Sequence, residues 1–157
     1  MHVALFEPEI PHNTGAVARL CAATNTRLHL VGRLGYQLND ARLKRAGLDY
    51  WDHVTIERHL DFAALETALP RATWRAFSTK GRRLYSECRF DEDSVLIFGN
   101  ETRGLPPSLV GSEQCYRIPI IKSRVRSLNL ATAVAIVLFE ALRLQGFDGA
   151  GEGGGDA

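Results

Sequence analysis

Val95-Leu-Ile-Phe98-Gly99-Asn-Glu-Thr-Arg-Gly-Leu-Pro106 is the stretch on which the fold prediction depends. Its first four residues form a short apolar run, which is typical of a fully buried strand. A polar segment framed by Gly99 and Gly104 follows this run. In open α/β sheets, ligands bind outside the carboxyl ends of the strands. The stretch therefore predicts a buried strand with a ligand-binding loop at its carboxyl end.

A second strand and loop of the same kind follow further along the chain. Residues 116–118 predict the strand, Ile118-Pro-Ile-Ile121 leads out of it, and Arg126-Ser-Leu-Asn-Leu130 opens a long apolar helix. Because the two strand-to-loop exits lie close together in sequence, we expect their loops to converge on one pocket.

Two familiar phosphate-binding sites are not supported by these loops. A P-loop would need a Lys-Ser or Lys-Thr pair after Gly104, but Leu105-Pro106-Pro107 stands there. A nucleotide-binding domain of flavodoxin or Rossmann type is also disfavoured, because no Gly-x-Gly-x-x-Gly follows a strand.

The rest of the chain alternates predicted strands and helices. Strands are predicted at residues 2–6, 27–31, 54–56, 74–77, 95–98 and 116–118. Helices are predicted at 62–69 and 129–145. A further helix is expected to begin with Asn13 as its N-cap, and a basic helical turn is expected at 40–45. This alternation predicts an α/β fold with a mostly parallel sheet and helices on both faces. We expect one domain over residues 1–146, followed by a Gly-rich disordered tail at 147–157.

Composition excludes several classes of protein. A chain of 157 residues can bury a core without disulfides or metals. Cys21, Cys88 and Cys115 are odd in number and widely spaced, which argues for reduced thiols in a cytoplasmic protein and against a zinc site. The five histidines show no ligand spacing, so we predict no metal. Polar and charged residues interrupt the most apolar run, residues 128–144, so no membrane span is expected.

The distribution of charge matters more than the net charge of +1. Basic residues form three groups: Arg42, Lys44 and Arg45; Lys80, Arg82 and Arg83; and Lys122, Arg124 and Arg126. One such group alone would be an ordinary solvated loop. Three groups, two of them beside the proposed loops, favour an RNA-binding surface that includes Arg42, Lys44, Arg45, Lys80, Arg82 and Arg124.

Three motifs occur in order: Asn13-x-Gly15-x-x-x-Arg19, Phe98-Gly-x-Glu-Thr-Arg-Gly-Leu-Pro106, and Ile118-Pro119 followed by Ser127-x-Asn129. Together they resemble the SPOUT superfamily of RNA methyltransferases over residues 3–146. The similarity is closest to the tRNA (cytidine/uridine-34) 2'-O-methyltransferase group without an added RNA-binding domain. The resemblance implies a deep C-terminal trefoil knot over residues 77–145, which periodicity alone would not predict because true knots are rare.

The resemblance also implies S-adenosyl-L-methionine as the methyl donor, without a metal. Carried onto this sequence, the donor pocket would use Phe77, Ser78, Gly99, Ile118, Ile120 and Ser127. The missing Cβ of Gly99 would let backbone approach the donor closely. The apolar members suit an adenine slot, although each would otherwise be assigned to plain core packing.

The catalytic residues implied by the resemblance are Arg19, Asn13, Glu101 and Asn129. An arginine is an awkward general base because its pKa exceeds 12, so Arg19 is expected to stabilise an alkoxide or to hold a phosphate that assists. Glu101 would anchor Arg19 or Asn13, or order its loop. Asn129 would either donate to the reacting ribose or cap the last helix.

The implied reaction is methyl transfer to the ribose 2'-hydroxyl of the wobble nucleotide, cytidine or uridine 34. The implied partners are the tRNA anticodon stem-loop and a second copy of the chain. Two alternatives stay open: the same chemistry at another tRNA position or on rRNA, and an RNA-binding module without catalysis.

Overall fold

A computed structural model describes residues 1–37, 53–122 and 124–147. The strands are β1 (His2–Phe6), β2 (Arg27–Val31), β3 (Ile56–His59), β4 (Thr73–Phe77), β5 (Arg83–Leu84), β6 (Ser94–Phe98) and β7 (Cys115–Arg117). The helices are α1 (Pro11–Ala23), α2 (Phe62–Ala68), α3 (Pro107–Val110) and α4 (Leu130–Leu144), and Tyr85–Glu87 forms a 3-10 turn.

The seven strands form one sheet in the order β3-β2-β1-β6-β4-β7-β5, and each of these strand pairs is parallel. The buried β1 and β6 lie at its centre, where Ala4 is in register with His29 on one side and Ile97 on the other. Near-continuous apolar strands of this kind are typical of parallel sheets covered on both faces. The prediction of a mostly parallel α/β sheet is confirmed.

Two apolar clusters show which helices cover which face of the sheet. Alternate residues of β1 point to opposite faces, so Val3 and Leu5 pack with α1 and α4, whereas Ala4 packs on the side of α2 and α3. The α1 and α4 helices also contact each other. Helices therefore lie on both faces, as predicted.

Several predicted boundaries were wrong. The first helix begins at Pro11 with Ile10 at its N-cap, so Asn13 lies inside the first turn with its side chain buried. Proline suits that first turn because it needs no N–H donor there. The strand predicted at 54–56 instead spans Ile56–His59, since pairing with β2 determines its extent. The sequence analysis did not predict β5 or α3.

The buried polar and thiol groups of the core are uncharged. His29 has no solvent exposure, and burial, followed by the neighbouring His2 and His59, lowers its pKa to about 3. All three cysteines are free and buried, and burial raises the pKa of Cys21 to about 12. These thiols are therefore protonated at neutral pH.

Two predicted segments cannot be compared with the structure. The basic turn at residues 40–45, with its three cations, and residues 148–157 of the predicted tail lie outside the described residues. Phe147, the last described residue, contacts the ring of Phe139 on α4. Among the helices of the described ranges, none is both long and apolar enough to span a membrane.

Candidate functional site

A cavity of about 600 Å³ opens where β4, β6 and β7 end. The loops that follow these strands line it, so the two strand-to-loop exits converge on one pocket as the sequence predicted. All six residues assigned to the donor pocket lie on its wall: Phe77, Ser78, Gly99, Ile118, Ile120 and Ser127. Asn13, Glu101 and Asn129 also line the cavity.

The packing of its own loop requires a glycine at position 99, and close approach of the donor to its backbone stays a prediction. A Cβ at this position would lie 2.3 Å from the backbone carbon of Gly104 and 2.3 Å from the nitrogen of Leu105. The missing side chain therefore allows the loop to pack against itself. Gly104 instead has open space around its Cβ position but a φ of +73°, a conformation that favours glycine.

Three polar side chains from distant parts of the sequence form a hydrogen-bonded chain at the cavity. Asn129 donates through Nδ2 to Asn13 Oδ1 at 2.9 Å, and Asn13 donates through its own Nδ2 to Glu101 Oε1 at 3.0 Å. This polar network, Asn13–Glu101–Asn129, joins the beginning of α1, the loop after β6 and the beginning of α4.

Glu101 also holds the connection between β1 and α1. Its Oε2 accepts the backbone N–H of Glu9 at 2.8 Å, and its Oε1 accepts that of Ile10 at 3.2 Å. Ile10 is the N-cap of α1 and has no side-chain acceptor of its own, so a carboxylate there suits the positive end of the helix. These contacts favour two of the three predicted roles of Glu101, the anchoring of Asn13 and the ordering of its loop.

Asn129 caps the last helix. Its Oδ1 accepts the backbone N–H groups of Ala131 at 2.9 Å and Thr132 at 3.3 Å. The same side chain contacts Asn13 through Nδ2, so capping leaves its amide donor directed into the polar network.

The sequence analysis missed Asn100 as a residue that shapes the site. Asn100 is buried, donates through Nδ2 to the carbonyl of Glu7 at 2.6 Å, and accepts the N–H groups of Thr102 and Arg103 at 2.9 Å through Oδ1. The signal was available, because an asparagine after a strand commonly bonds the backbone two residues on. Thr102 adds a 2.6 Å hydrogen bond to Glu9 Oε2.

Arg19 lies apart from this cavity within one chain. It is an exposed residue of α1 and lines a second concavity with Ala22, Ala23 and His53. Arg19 lies six positions after Asn13, and at 3.6 residues per turn such residues project about 120° apart. The first motif therefore does not bring both of its polar residues into the same pocket of a single chain.

The predicted RNA-binding residues differ in position. Lys80 lines the cavity, and so does Arg126, which was not among the predicted site residues. Arg82 and Arg124 are exposed. Arg42, Lys44 and Arg45 lie outside the described residues.

Comparisons with known proteins agree with this geometry. A family model described as the SpoU rRNA Methylase family matches residues 1–139. The tRNA (cytidine(34)-2'-O)-methyltransferase of Escherichia coli (strain K12) is 44% identical over 154 residues, with 96% of this chain and 97% of the relative covered. A solved structure described as "Structural insights into the 2-OH methylation of C/U34 on tRNA" is 47% identical, has a TM-score of 0.87, and covers 92% of this chain and 90% of its own.

A third comparison includes a bound methyl donor. An AdoMet-bound rRNA methyltransferase from Sinorhizobium meliloti is 28% identical with a TM-score of 0.81, over 91% of this chain and 56% of that chain. The fold and the loops around the cavity define a methyltransferase of the SPOUT type. The chain belongs to the SpoU rRNA Methylase family. The predicted family and enzyme class are confirmed. The fold implies the trefoil knot, but the strand order does not by itself show how the chain is threaded.

Proposed function

We propose that this protein transfers a methyl group from S-adenosyl-L-methionine to the ribose 2'-hydroxyl of nucleotide 34, cytidine or uridine, in tRNA. The observation that carries the proposal is the polar network, which borders a cavity built from the three loops assigned to the donor. The names of the relative from Escherichia coli and of the 47% identical structure support nucleotide 34 as the target.

The residues present fit the donor. Phe77, Ile118 and Ile120 offer an apolar wall for an adenine, and Ser78 and Ser127 offer polar groups beside it. When bound, the donor supplies an electrophilic methyl group on a sulfonium. We propose that binding needs no metal, because the six residues assigned to the donor offer only backbone, apolar and hydroxyl groups.

The acceptor hydroxyl is a poor nucleophile, so its positioning and the removal of its proton share the work. The two amides of the polar network cannot act as bases near neutral pH. Glu101 already accepts three hydrogen bonds, which suits a positioning role. We therefore assign proton removal to an RNA phosphate that Arg19 holds in place.

Arg19 would reach the cavity from a second subunit. Within one chain, Arg19 lies away from the polar network. In a homodimer, the partner subunit's Arg19 would face the donor that the first chain holds. Exposed apolar residues support such a contact: Phe139, Leu144 and Phe147 near the end of α4 are 46%, 51% and 42% exposed. The tRNA would then lie across both subunits, near the cations Lys80, Arg82 and Arg124.

Removal of Arg19 tests the catalytic part of the proposal. We expect Arg19→Ala to nearly eliminate methyl transfer while donor affinity, measured by calorimetry with a chelator present, stays within a few-fold. Arg71→Ala, at an exposed arginine far along the chain, is the matched control. Wild-type turnover in Arg19→Ala would contradict the assignment, and loss of donor binding on chelation would contradict the metal-free pocket.

Mixed subunits test the two-chain site. Ser127→Trp should block the donor cavity from an exposed position without disturbing the core. Neither Arg19→Ala nor Ser127→Trp alone should be active, but their mixture should regain activity through heterodimers with one complete site. No recovery in mixed dimers, shown to form by mass spectrometry, would place Arg19 and the donor in the same chain.

Mapping of ribose methylation identifies the substrate. In tRNA from cells that lack the protein, we expect the 2'-O-methyl group at nucleotide 34 to disappear. Loss of a methyl group at another tRNA position or in rRNA would favour the alternative substrate. Donor binding without methyl transfer to any RNA would favour a non-catalytic RNA-binding module.

A further inference from the structure

Three histidines form a row across three neighbouring strands, on the sheet face that α2 covers. His2 Nδ1 lies 2.8 Å from His29 Nε2, and His29 Nδ1 lies 2.9 Å from His59 Nε2. Glu57 joins this row: one oxygen of its carboxylate and one ring nitrogen each of His29 and His59 all lie within 4.8 Å of one another.

The sheet register explains this convergence. His29 on β2 is in register with Glu57 on β3, and His59 follows Glu57 by two residues on the same strand. Because side chains alternate along a strand, Glu57 and His59 point to the same face, with His29 beside them. None of the four cluster residues lines the donor cavity.

We propose that His29, Glu57 and His59 bind a zinc ion through His29 Nδ1, His59 Nε2 and a carboxylate oxygen. Two imidazoles and one carboxylate are ligands that zinc accepts, and water would complete a tetrahedral site. The ion would link β2 to β3, away from methyl transfer, and the proposal departs from the prediction of no metal, which rested on histidine spacing along the chain.

The geometry needs small adjustments to accept the ion. At Zn–N distances of about 2.0–2.1 Å, two nitrogens of a tetrahedral site lie about 3.3 Å apart. The His29 and His59 nitrogens would therefore separate by a few tenths of an ångström as the ion replaces the proton between them. Glu57 would rotate toward the ion and leave its 3.5 Å contact with Arg27, an exposed pair that contributes little.

His2 would orient the buried ligand. Metal-bound histidines usually donate their second ring N–H to a neighbouring acceptor, which fixes the ring and its tautomer. His29 Nε2 faces His2 Nδ1 in a suitable position for that donation.

Glu57 and His59 are partly exposed, so an ion can enter from solvent even though His29 is fully buried.

Titration of the full chain with ZnCl2 tests this site. The protein should carry no histidine tag, be treated with a chelator and be exchanged into chelator-free buffer. We expect one ion per chain by calorimetry and a zinc-dependent rise in Tm. Glu57→Gln and His59→Gln should each weaken binding by about tenfold or more, because each removes a ligand. His29 is left intact because its substitution could unfold the sheet.

The matched control is the double variant His12→Gln/His53→Gln, which removes the two histidines outside the row. It should bind zinc as the parent protein does. Co2+ in place of Zn2+ should give visible bands typical of a tetrahedral site in the parent but not in His59→Gln. Absence of saturable zinc binding would overturn the site. An affinity in Glu57→Gln and His59→Gln equal to that of the parent protein would do so too, as would loss of binding in the control.

Discussion

Two of the loops that meet at the cavity, those after β6 and β7, are built in opposite ways. The first loop, residues 99–105, is tied by side-chain hydrogen bonds to the connection between β1 and α1, through Asn100, Glu101 and Thr102. The second loop, of which residues 118–122 and 124–129 are described, is mostly exposed in those parts: Ile121 is 97% and Val125 is 50% accessible. Its capping residue, Asn129, joins it to the polar network.

Under the proposed function, this difference would separate two tasks at one site. The first loop fixes polar groups in advance, which is what positioning of a reacting ribose requires. The second loop exposes its cations to solvent, where they would contact RNA phosphates. Because these side chains are exposed, they contribute little to the free energy of folding. Substitutions in the first loop should therefore change the free energy of unfolding, and those in the second should mainly change RNA affinity.

The largest effect is expected at Gly99. Gly99→Ala should lower the free energy of unfolding by about 3 kcal/mol and abolish donor binding, because its Cβ meets backbone that cannot move aside cheaply. Urea denaturation and calorimetry measure the two effects. Gly104→Ala in the same loop is the matched control, with a cost of about 1 kcal/mol from backbone conformation alone. Equal, small costs at both positions would show that the first loop is not tightly packed.

Glu101 should give the next largest effect. Glu101→Ala leaves two backbone N–H groups and the Asn13 amide without their acceptor, which should cost about 2 kcal/mol of stability. The displaced groups should lower kcat about a hundredfold. Glu101→Gln keeps one acceptor and should fall between wild type and Glu101→Ala in both measurements. Wild-type stability with no activity in Glu101→Gln would instead indicate a proton-transfer role.

Asn129 allows its two contacts to be separated. Asn129→Ala removes the helix cap and the bond to Asn13, and should cost about 1 kcal/mol of stability. Asn129→Ser keeps a capping oxygen and should restore most of that stability, while methyl transfer stays impaired. Thermal denaturation and turnover of the two variants test this. Full activity in Asn129→Ser would make capping the whole role of Asn129.

The smallest effect on stability is expected in the second loop. Lys122→Gln and Arg124→Gln together should change the free energy of unfolding by less than about 0.5 kcal/mol, since both side chains are exposed. Affinity for tRNA should fall, and each lost phosphate contact should flatten the log–log salt dependence by about 0.9. Arg71→Gln serves as the control. A salt dependence unchanged from wild type would exclude the second loop from the RNA surface.

Much of the fold could be predicted from the sequence because its signals are local. The apolar run of β6 and the periodicity of α4 predicted those elements to within one or two residues. Elements that depend on a partner were missed or misplaced. β5 has only two residues and exists by pairing with β7, and β3 takes its limits from β2.

The candidate site likewise has one part that could be predicted from local sequence and another part that depends on contacts between distant residues. The family resemblance assigned six residues to the donor pocket, and the structure gathers all six around one cavity. The contact of Glu101 with Asn13 was predicted only as one of several alternatives. The bonds from Glu101 to the backbone at the beginning of α1 and the packing of Gly99 against its own loop were not predicted. Spacing along the chain also placed Asn13 and Arg19 in one motif, although the turn of α1 separates them.

The sequence by itself determined the α/β class, the family and the identity of the loop residues, because periodicity and short motifs are written in adjacent positions. Only the tertiary structure decided which distant groups touch. The carboxyl ends of parallel strands lie at one edge of the sheet, and the segments that follow these strands meet there. This arrangement brings together Asn13, Glu101 and Asn129. His2, His29 and His59 meet because the strand register places them on one face, each two residues beyond the partner of the preceding histidine, although no sequence spacing connects them.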